Sequence, residues 1–367
     1  MGRYRLSCLY VPLYEVDCVN RWIGWKYCII HFCIEVVCFW LLCYRLPLGI
    51  AWMVSLLYDI IAFAPQGLLG AFITKHKELP YESFGHIFML ISIPLIFSAS
   101  IPLAFLGYAS LAVGNAIFHV CGAISTVADG DGKAFPPALF VGGGALGVIT
   151  GKTLGTLGLP PILLVVPLFV SQMLCLVSKK SLRRKIYPEY HQINEKLRPE
   201  VILVVALLVT AVRSFIGYAI PIYWKKELWQ DFFLFAIMGA GKAIGGLLID
   251  KIGIRRTAVI GTLLAIPFLM LGGSNMVVSC IGVFFFSLTM SVTFVMCLSC
   301  IKQNPGIAFG ITTVGLLLGS LPALFLSSIP YERVFVCVLS LLSFVLLFPV
   351  LKKSDPLSND FYLKARD

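Results

Sequence analysis

Runs of roughly 18 to 25 apolar residues, each long enough to cross a ~30 Å hydrocarbon slab, recur from Tyr27 to Leu351 with only brief polar breaks. A chain of 367 residues that is 59% apolar and 13% charged cannot hide that much apolar surface in a water-soluble core. The sequence therefore predicts an all-α polytopic membrane protein of about twelve transmembrane helices. The spans fall near 27–44, 48–73, 135–157, 159–178, 199–223, 230–250, 255–273, 276–301, 305–327 and 331–351, with two more in 85–127, a stretch that Pro94 and Pro102 divide.

The longest polar stretch carries Lys179, Lys180, Arg183, Arg184, Lys185, Lys196 and Arg198 and splits the spans six and six. The expected organisation is an N-terminal cytoplasmic or interfacial segment (1–26), a first six-helix bundle (27–178), a cytoplasmic linker (179–199), a second bundle (200–351) and a cytoplasmic tail (352–367). Of the 29 Lys and Arg residues, Arg45, Lys225, Lys226 and Arg333 fall on one side and Lys152, Arg213 and Lys242 within spans; all others fall on the linker side. Because cytoplasmic loops hold the excess of Lys and Arg, both termini are expected in the cytoplasm and the chain in the cytoplasmic (inner) membrane. The net charge of +11 is then a topological signal, and nucleic-acid binding is not expected without a basic soluble domain.

Cys28, Cys33, Cys38 and Cys43 step by five, a turn of about 140° each on a helix, so they share no face. Cys297 and Cys300 lie in an apolar run without nearby His or acidic ligands. These cysteines read as buried free thiols, and no metal or other cofactor is expected.

Between the apolar runs 231–248 and 257–271 lies a charged turn in which Gly246, Leu248, Asp250, Lys251, Gly253, Arg255 and Arg256 fit the spacing G-x-L-x-D-[R/K]-x-G-x-[R/K]-[R/K]. This resembles the loop signature of the major facilitator superfamily of transporters. The first-half copy is expected near Gly70 to Lys77, where Thr74 stands in the acid's place and Lys77 in that of the second glycine. Gly114-Asn115-Ala116-Ile117-Phe118-His119, followed by Phe140 to Gly147, resembles fosmidomycin-resistance-type members; His31-Phe32 and Val212-Arg213-Ser214-Phe215 are similar to features of related members. The resemblance implies a major facilitator fold of two six-helix pseudo-repeats that alternates between inward-open and outward-open states, with the loop Gly246 to Arg256 as conformational gate.

Repeats should recur about 172 residues apart, and Gly132-Lys133-Ala134-Phe135 does parallel Gly306-Ile307-Ala308-Phe309. In the fifth span Gly143, Gly147, Gly151 and Gly155 recur every four residues and form one groove for close helix packing. Gly306/Gly310 and Gly315/Gly319 mark the eleventh. Such flat faces serve packing, the sliding of a rocking motion, or both.

Ionisable groups at mid-depth are costly unless paired or facing water, which makes Glu35, Asp59 and Arg213 site candidates. His31 lies one helical turn before Glu35 and can share a proton with it, so Glu35, His31 and Asp59 are the proton-coupling candidates. Arg213, His119 and Lys242 are the substrate-binding candidates. Arg213 either binds an anion or neutralises Glu35 or Asp59, while His119 has an alternative role in helix packing and Lys242, like Lys152, an alternative as a snorkelling side chain.

The leading expectation is a secondary active transporter exporting a small organic solute, driven by a proton gradient and acting as a monomer in the bilayer. The alternatives are an importer or facilitator of an organic anion and a non-transporting sensor or scaffold of the same fold. An enzyme is not expected: His31, His76, His86, His119 and His191 are scattered, and no catalytic constellation is evident.

Overall fold

The computed structural model describes residues 22–44, 48–176, 187–326 and 329–352. Most of the N-terminal segment, the basic run Lys179 to Lys185 and most of the tail lie outside the described residues. Within them, twelve apolar helices follow in chain order: α1 Ile23–Tyr44, α2 Ala51–Lys75, α3 Tyr81–Ile96, α4 Ile101–Ala128, α5 Phe135–Thr156, α6 Pro161–Leu176, α7 Pro199–Ala219, α8 Leu228–Ile252, α9 Ile254–Ser274, α10 Met276–Cys300, α11 Pro305–Phe325 and α12 Glu332–Val350. Ten are long and apolar enough to cross a membrane; α3 and α6 are shorter. Pro102 opens α4, where its missing N–H needs no partner, so the stretch 85–127 divides into a short α3 and a 28-residue α4.

The burial pattern is that of a protein solvated by lipid. On α12, Val334, Val338, Leu341 and Val345 face outward while Ser340 and Ser343 are buried; on α7, Val201, Val204 and Leu208 are exposed and Thr210 and Arg213 buried. Apolar side chains on the outer surface and polar ones inside reverse the expectation for a helix in water.

Glycine positions reveal the pseudo-symmetry. A Cβ added at Gly143, Gly147, Gly151 or Gly155 would strike the backbone carbonyl of Cys28, Phe32, Val36 or Trp40 respectively, so the stripe packs α5 onto α1, turn for turn. Gly315 and Gly319 pack α11 onto Thr210 and Ala211 of α7 in the same way. Contacts across the two halves use other glycines: Gly142 meets Gly239 of α8, and Gly306 and Gly310 of α11 meet Gly70 and Gly67 of α2. The four-residue stripe thus lies inside one half, where it is no sliding surface between halves.

Pro65 interrupts α2 and frees carbonyls that an unbroken helix would satisfy. Gln66 Nε2 donates to Ala62 O at 2.7 Å, and Thr313 Oγ1 of α11 donates to Phe63 O at 3.1 Å, which turns the break into a contact between halves.

Residues 187–198 of the linker lie against loops of both halves. Tyr190 donates to Lys133 O, the Tyr187 amide donates to Gln303 Oε1, and Asn194 N donates to Val350 O at the end of α12. Lys302 donates to Glu189 at 2.8 Å and holds its carboxyl below the ordinary range. Burial, with Asp250 nearby, pushes the Tyr190 phenol up, which keeps it a neutral donor.

Candidate functional site

The charged turn occupies the linker-side end of the α8–α9 pair. Gly253 alone separates the two helices, with φ 87°, a backbone conformation that glycine adopts without strain. Gly246, one turn before Asp250, abuts Ala138 of α5 and Ala134 at its N-cap, where any side chain would collide. This close approach lets Asp250 reach across the halves: Oδ1 accepts from Ala134 N at 2.7 Å and Oδ2 from Phe135 N at 3.0 Å. A carboxylate thereby caps the positive N-terminus of α5 with two charge-assisted bonds. Arg255 stacks its guanidinium 3.8 Å from the Phe348 ring centroid on α12, while Lys251 and Arg256 are exposed.

The first-half copy retains the connection by other means. Thr74, in the acid's place, donates to Asn304 Oδ1 at 3.3 Å, and that same oxygen caps α11 by accepting from Ile307 N at 3.0 Å. An ionic latch on one side of the pseudo-dyad is matched by a neutral one on the other. Both lie on the linker side, where the halves are closed against each other.

Beyond the latches, between the halves, is a cavity of about 220 Å³. His31, Glu35 and His119 line it from the N-terminal half, Arg213, Lys242 and Met290 from the other. His31 Nε2 and His119 Nε2 are 2.7 Å apart, and Glu35 Oε1 lies 3.4 Å from the first and 3.2 Å from the second. The outer nitrogens are fixed by carbonyls: His31 Nδ1 donates to Phe140 O at 2.8 Å and His119 Nδ1 to Asn115 O at 3.1 Å. Asn115 Nδ2 donates to Glu35 Oε1 at 3.2 Å, and the added volume of a Cβ at Gly144 would fill the space of the His31 ring. Phe140 lies against His31, and Phe309 stacks on His119.

Five of the residues singled out by sequence therefore meet in one place: His31, Glu35, His119, Arg213 and Lys242. Asp59, on α2, is not among the residues that line the cavity; no hydrogen bond or ion pair among the described residues joins it to the triad, but it lies within electrostatic reach of Glu35. Among the described residues no ion pair joins Arg213 to Glu35 or Asp59: its Nη2 donates to Met290 Sδ at 2.5 Å, and its buried Nε has no hydrogen-bond partner among them. His119 is a member of the charged cluster as well as a packing element. Lys152 is exposed, whereas Lys242 lines the cavity. Asn115, one turn before His119, is the positioning residue that sequence reasoning passed over, although the four-residue spacing marks it.

No protein-family model matches the chain, and no curated protein matches it in sequence. Solved structures do share its architecture. FucP, a major facilitator superfamily transporter in its outward conformation, superposes with a TM-score of 0.58 at 13% identity, over 88% of this chain and 97% of that one. The human organic anion transporter MFSD10 (TETRAN) gives a TM-score of 0.63 at 15% identity, over 89% and 99%. At such identities the likeness is one of fold. The chain is a multi-pass membrane protein with the major facilitator fold.

Proposed function

We propose that the protein is a secondary active transporter of a small organic anion, a member of the major facilitator superfamily that exposes its central cavity alternately to the two membrane faces. The observation carrying this reading is the cavity itself, in which Arg213 and Lys242 of one half oppose the His31–Glu35–His119 triad of the other. Neither cation has an ion-pair partner among the described residues, and a charge at this depth is costly until a counter-charge arrives. A solute held by both walls favours whichever state brings those walls together, which is the energetic requirement for coupling binding to alternation. The human relative in fold carries organic anions, in agreement with an anionic solute.

The triad is the candidate for proton coupling. With both Nδ1–H groups donated to carbonyls, two neutral rings would direct lone pairs at each other across 2.7 Å; one proton shared by the rings and paired with Glu35 relieves that repulsion. The Lys and Arg distribution argues for a cytoplasmic linker, so the state closed on the linker side is outward-facing, and the fosmidomycin-resistance-type resemblance favours export. Import or facilitated movement of the same anion is the second reading, favoured by cations that need no proton to attract it.

A thermal-shift screen of small carboxylates and phosphates on purified protein identifies a binder, whose flux is then followed in both directions in proteoliposomes under an imposed proton gradient. Glu35→Gln is expected to lose gradient-driven accumulation and keep substrate exchange. Accumulation by that variant would move coupling away from Glu35, and absence of flux for every binder would reject transport.

A further inference from the structure

The triad has the composition, spacing and support of a metal site. Three acceptors from two helices converge with separations of 2.7, 3.2 and 3.4 Å. Ligands about 2.1 Å from one ion lie roughly 3.0 Å apart in a cis-octahedral set and roughly 3.4 Å apart in a tetrahedral one, so a single ion can touch all three atoms after shifts of a few tenths of an ångström. The lone pairs are already turned inward. Each imidazole gives its other nitrogen's hydrogen to a carbonyl, and Asn115 holds the carboxylate oxygen, the outer-shell arrangement that fixes metal-binding tautomers. Two imidazoles and one carboxylate suit a borderline divalent transition ion such as Zn²⁺ or Co²⁺ better than Mg²⁺ or Ca²⁺, which take mostly oxygen ligands.

The opposite wall says what else is bound. A divalent ion on Glu35 and two neutral imidazoles leaves a net positive charge, to which Arg213 and Lys242 add two more across the cavity. Positive charge so concentrated in a low-dielectric space requires an anionic ligand. The metal's open positions, facing the cavity, provide the place where such a ligand can chelate.

We propose that His31, Glu35 and His119 bind a divalent transition-metal ion, and that the transported solute is an organic polycarboxylate chelate of that ion, with its free carboxylates on Arg213 and Lys242. The metal takes the place of the shared proton, one proton leaving as one ion enters, so neither redox change nor co-reactant is involved. The chelate half rests on the transport reading above; the metal site itself does not.

The test uses purified full-length protein, with Zn²⁺ alone, citrate alone and the two together. Zn²⁺ is expected to bind at one ion per chain, with an X-ray absorption first shell of nitrogen and oxygen near 2.0–2.1 Å, distinct from the ~2.3 Å of thiolate. That spectrum is taken on the unaltered chain, so it does not depend on any variant folding. His119→Gln and Glu35→Gln, checked as monodisperse, are expected to weaken Zn²⁺ binding a hundredfold or more, so Glu35→Gln keeps exchange of a metal-free anion and loses that of the chelate. Citrate is expected to tighten Zn²⁺ binding at least tenfold, and less so in Arg213→Gln. Failure of the folded protein to bind Zn²⁺ at tens of micromolar, sulfur in the first shell, or unchanged affinity in His119→Gln would overturn the site. Zinc binding indifferent to citrate would overturn the chelate. Organic-anion flux that persists in EDTA, with no zinc bound, rejects the chelate as the transported solute and leaves the transporter standing; bound zinc without flux of any solute supports the site and rejects transport.

Discussion

Asp250 and Phe135 are 115 residues apart and belong to different halves, yet the carboxylate of one accepts the backbone amide hydrogen of the other at 3.0 Å, alongside the bond to Ala134. The loop signature legible in the sequence is thus a helix cap supplied in trans, and its worth depends on which state the halves adopt.

Asp250→Asn keeps the shape and removes the charge. A charged group capping a helix N-terminus contributes about 0.5–2 kcal/mol, so the linker-closed state should lose roughly twofold to thirtyfold in population. Proteoliposome flux is expected to fall sharply while thermal stability changes little, and unaltered flux would remove the turn from the switching mechanism.

The neutral latch should be the weaker. Thr74→Ala deletes one long hydrogen bond and is expected to cost less than about 1 kcal/mol, whereas Asn304→Ala deletes the α11 cap as well and should cost about 1–2 kcal/mol. Thermal melts of the two variants in one detergent give the order, and the reverse order would mean that Asn304 does not cap α11.

Gly151→Ala brings a methyl against the Val36 carbonyl, and Gly147→Leu forces a branched side chain between Phe32 O and Glu35. Overpacking costs about 1–3 kcal/mol for the small change, read as a lower melting temperature, while the larger one should abolish folding or lock the carrier. Normal melting and flux in both would place the stripe against lipid.

Single cysteines at Lys226 and Lys196 report topology. A membrane-impermeant thiol reagent applied outside whole cells should label the first and spare the second, in a background whose own exposed thiols are replaced. The opposite pattern would invert the assigned orientation.

How much of this was legible depends on range. Membrane spans, the charged turn and the glycine stripe are periodic or local, so the sequence carries them directly: all twelve helices fall where apolar runs predict, and Gly253 makes the turn its φ requires. His31 and Glu35 are one turn apart and were readable as a pair. That His119 completes the cluster was not, because helix rotation and register across 88 residues decide which face of α4 meets α1. The same missing register left open whether Arg213 met a carboxylate, and in the fold its Nη2 meets Met290 Sδ. The Thr74–Asn304 bridge was hidden for a different reason: Asn304, 230 residues away, supplies what the degenerate loop lacks, and the loop's own residues carry no sign of it.

Helix α5 carries both ends of the machinery. Its Phe140 carbonyl holds His31 in the cluster, and its first amides, about 8 Å away along the same rod, hold Asp250. Packed backbone to backbone on α1, this rod has little freedom to move at one end alone. In the proposed transport cycle, whatever occupies the cluster and whatever closes the linker side are then thermodynamically linked, and the linkage is reciprocal: a tighter latch alters affinity in the cavity by the same factor by which an occupied cavity alters the latch.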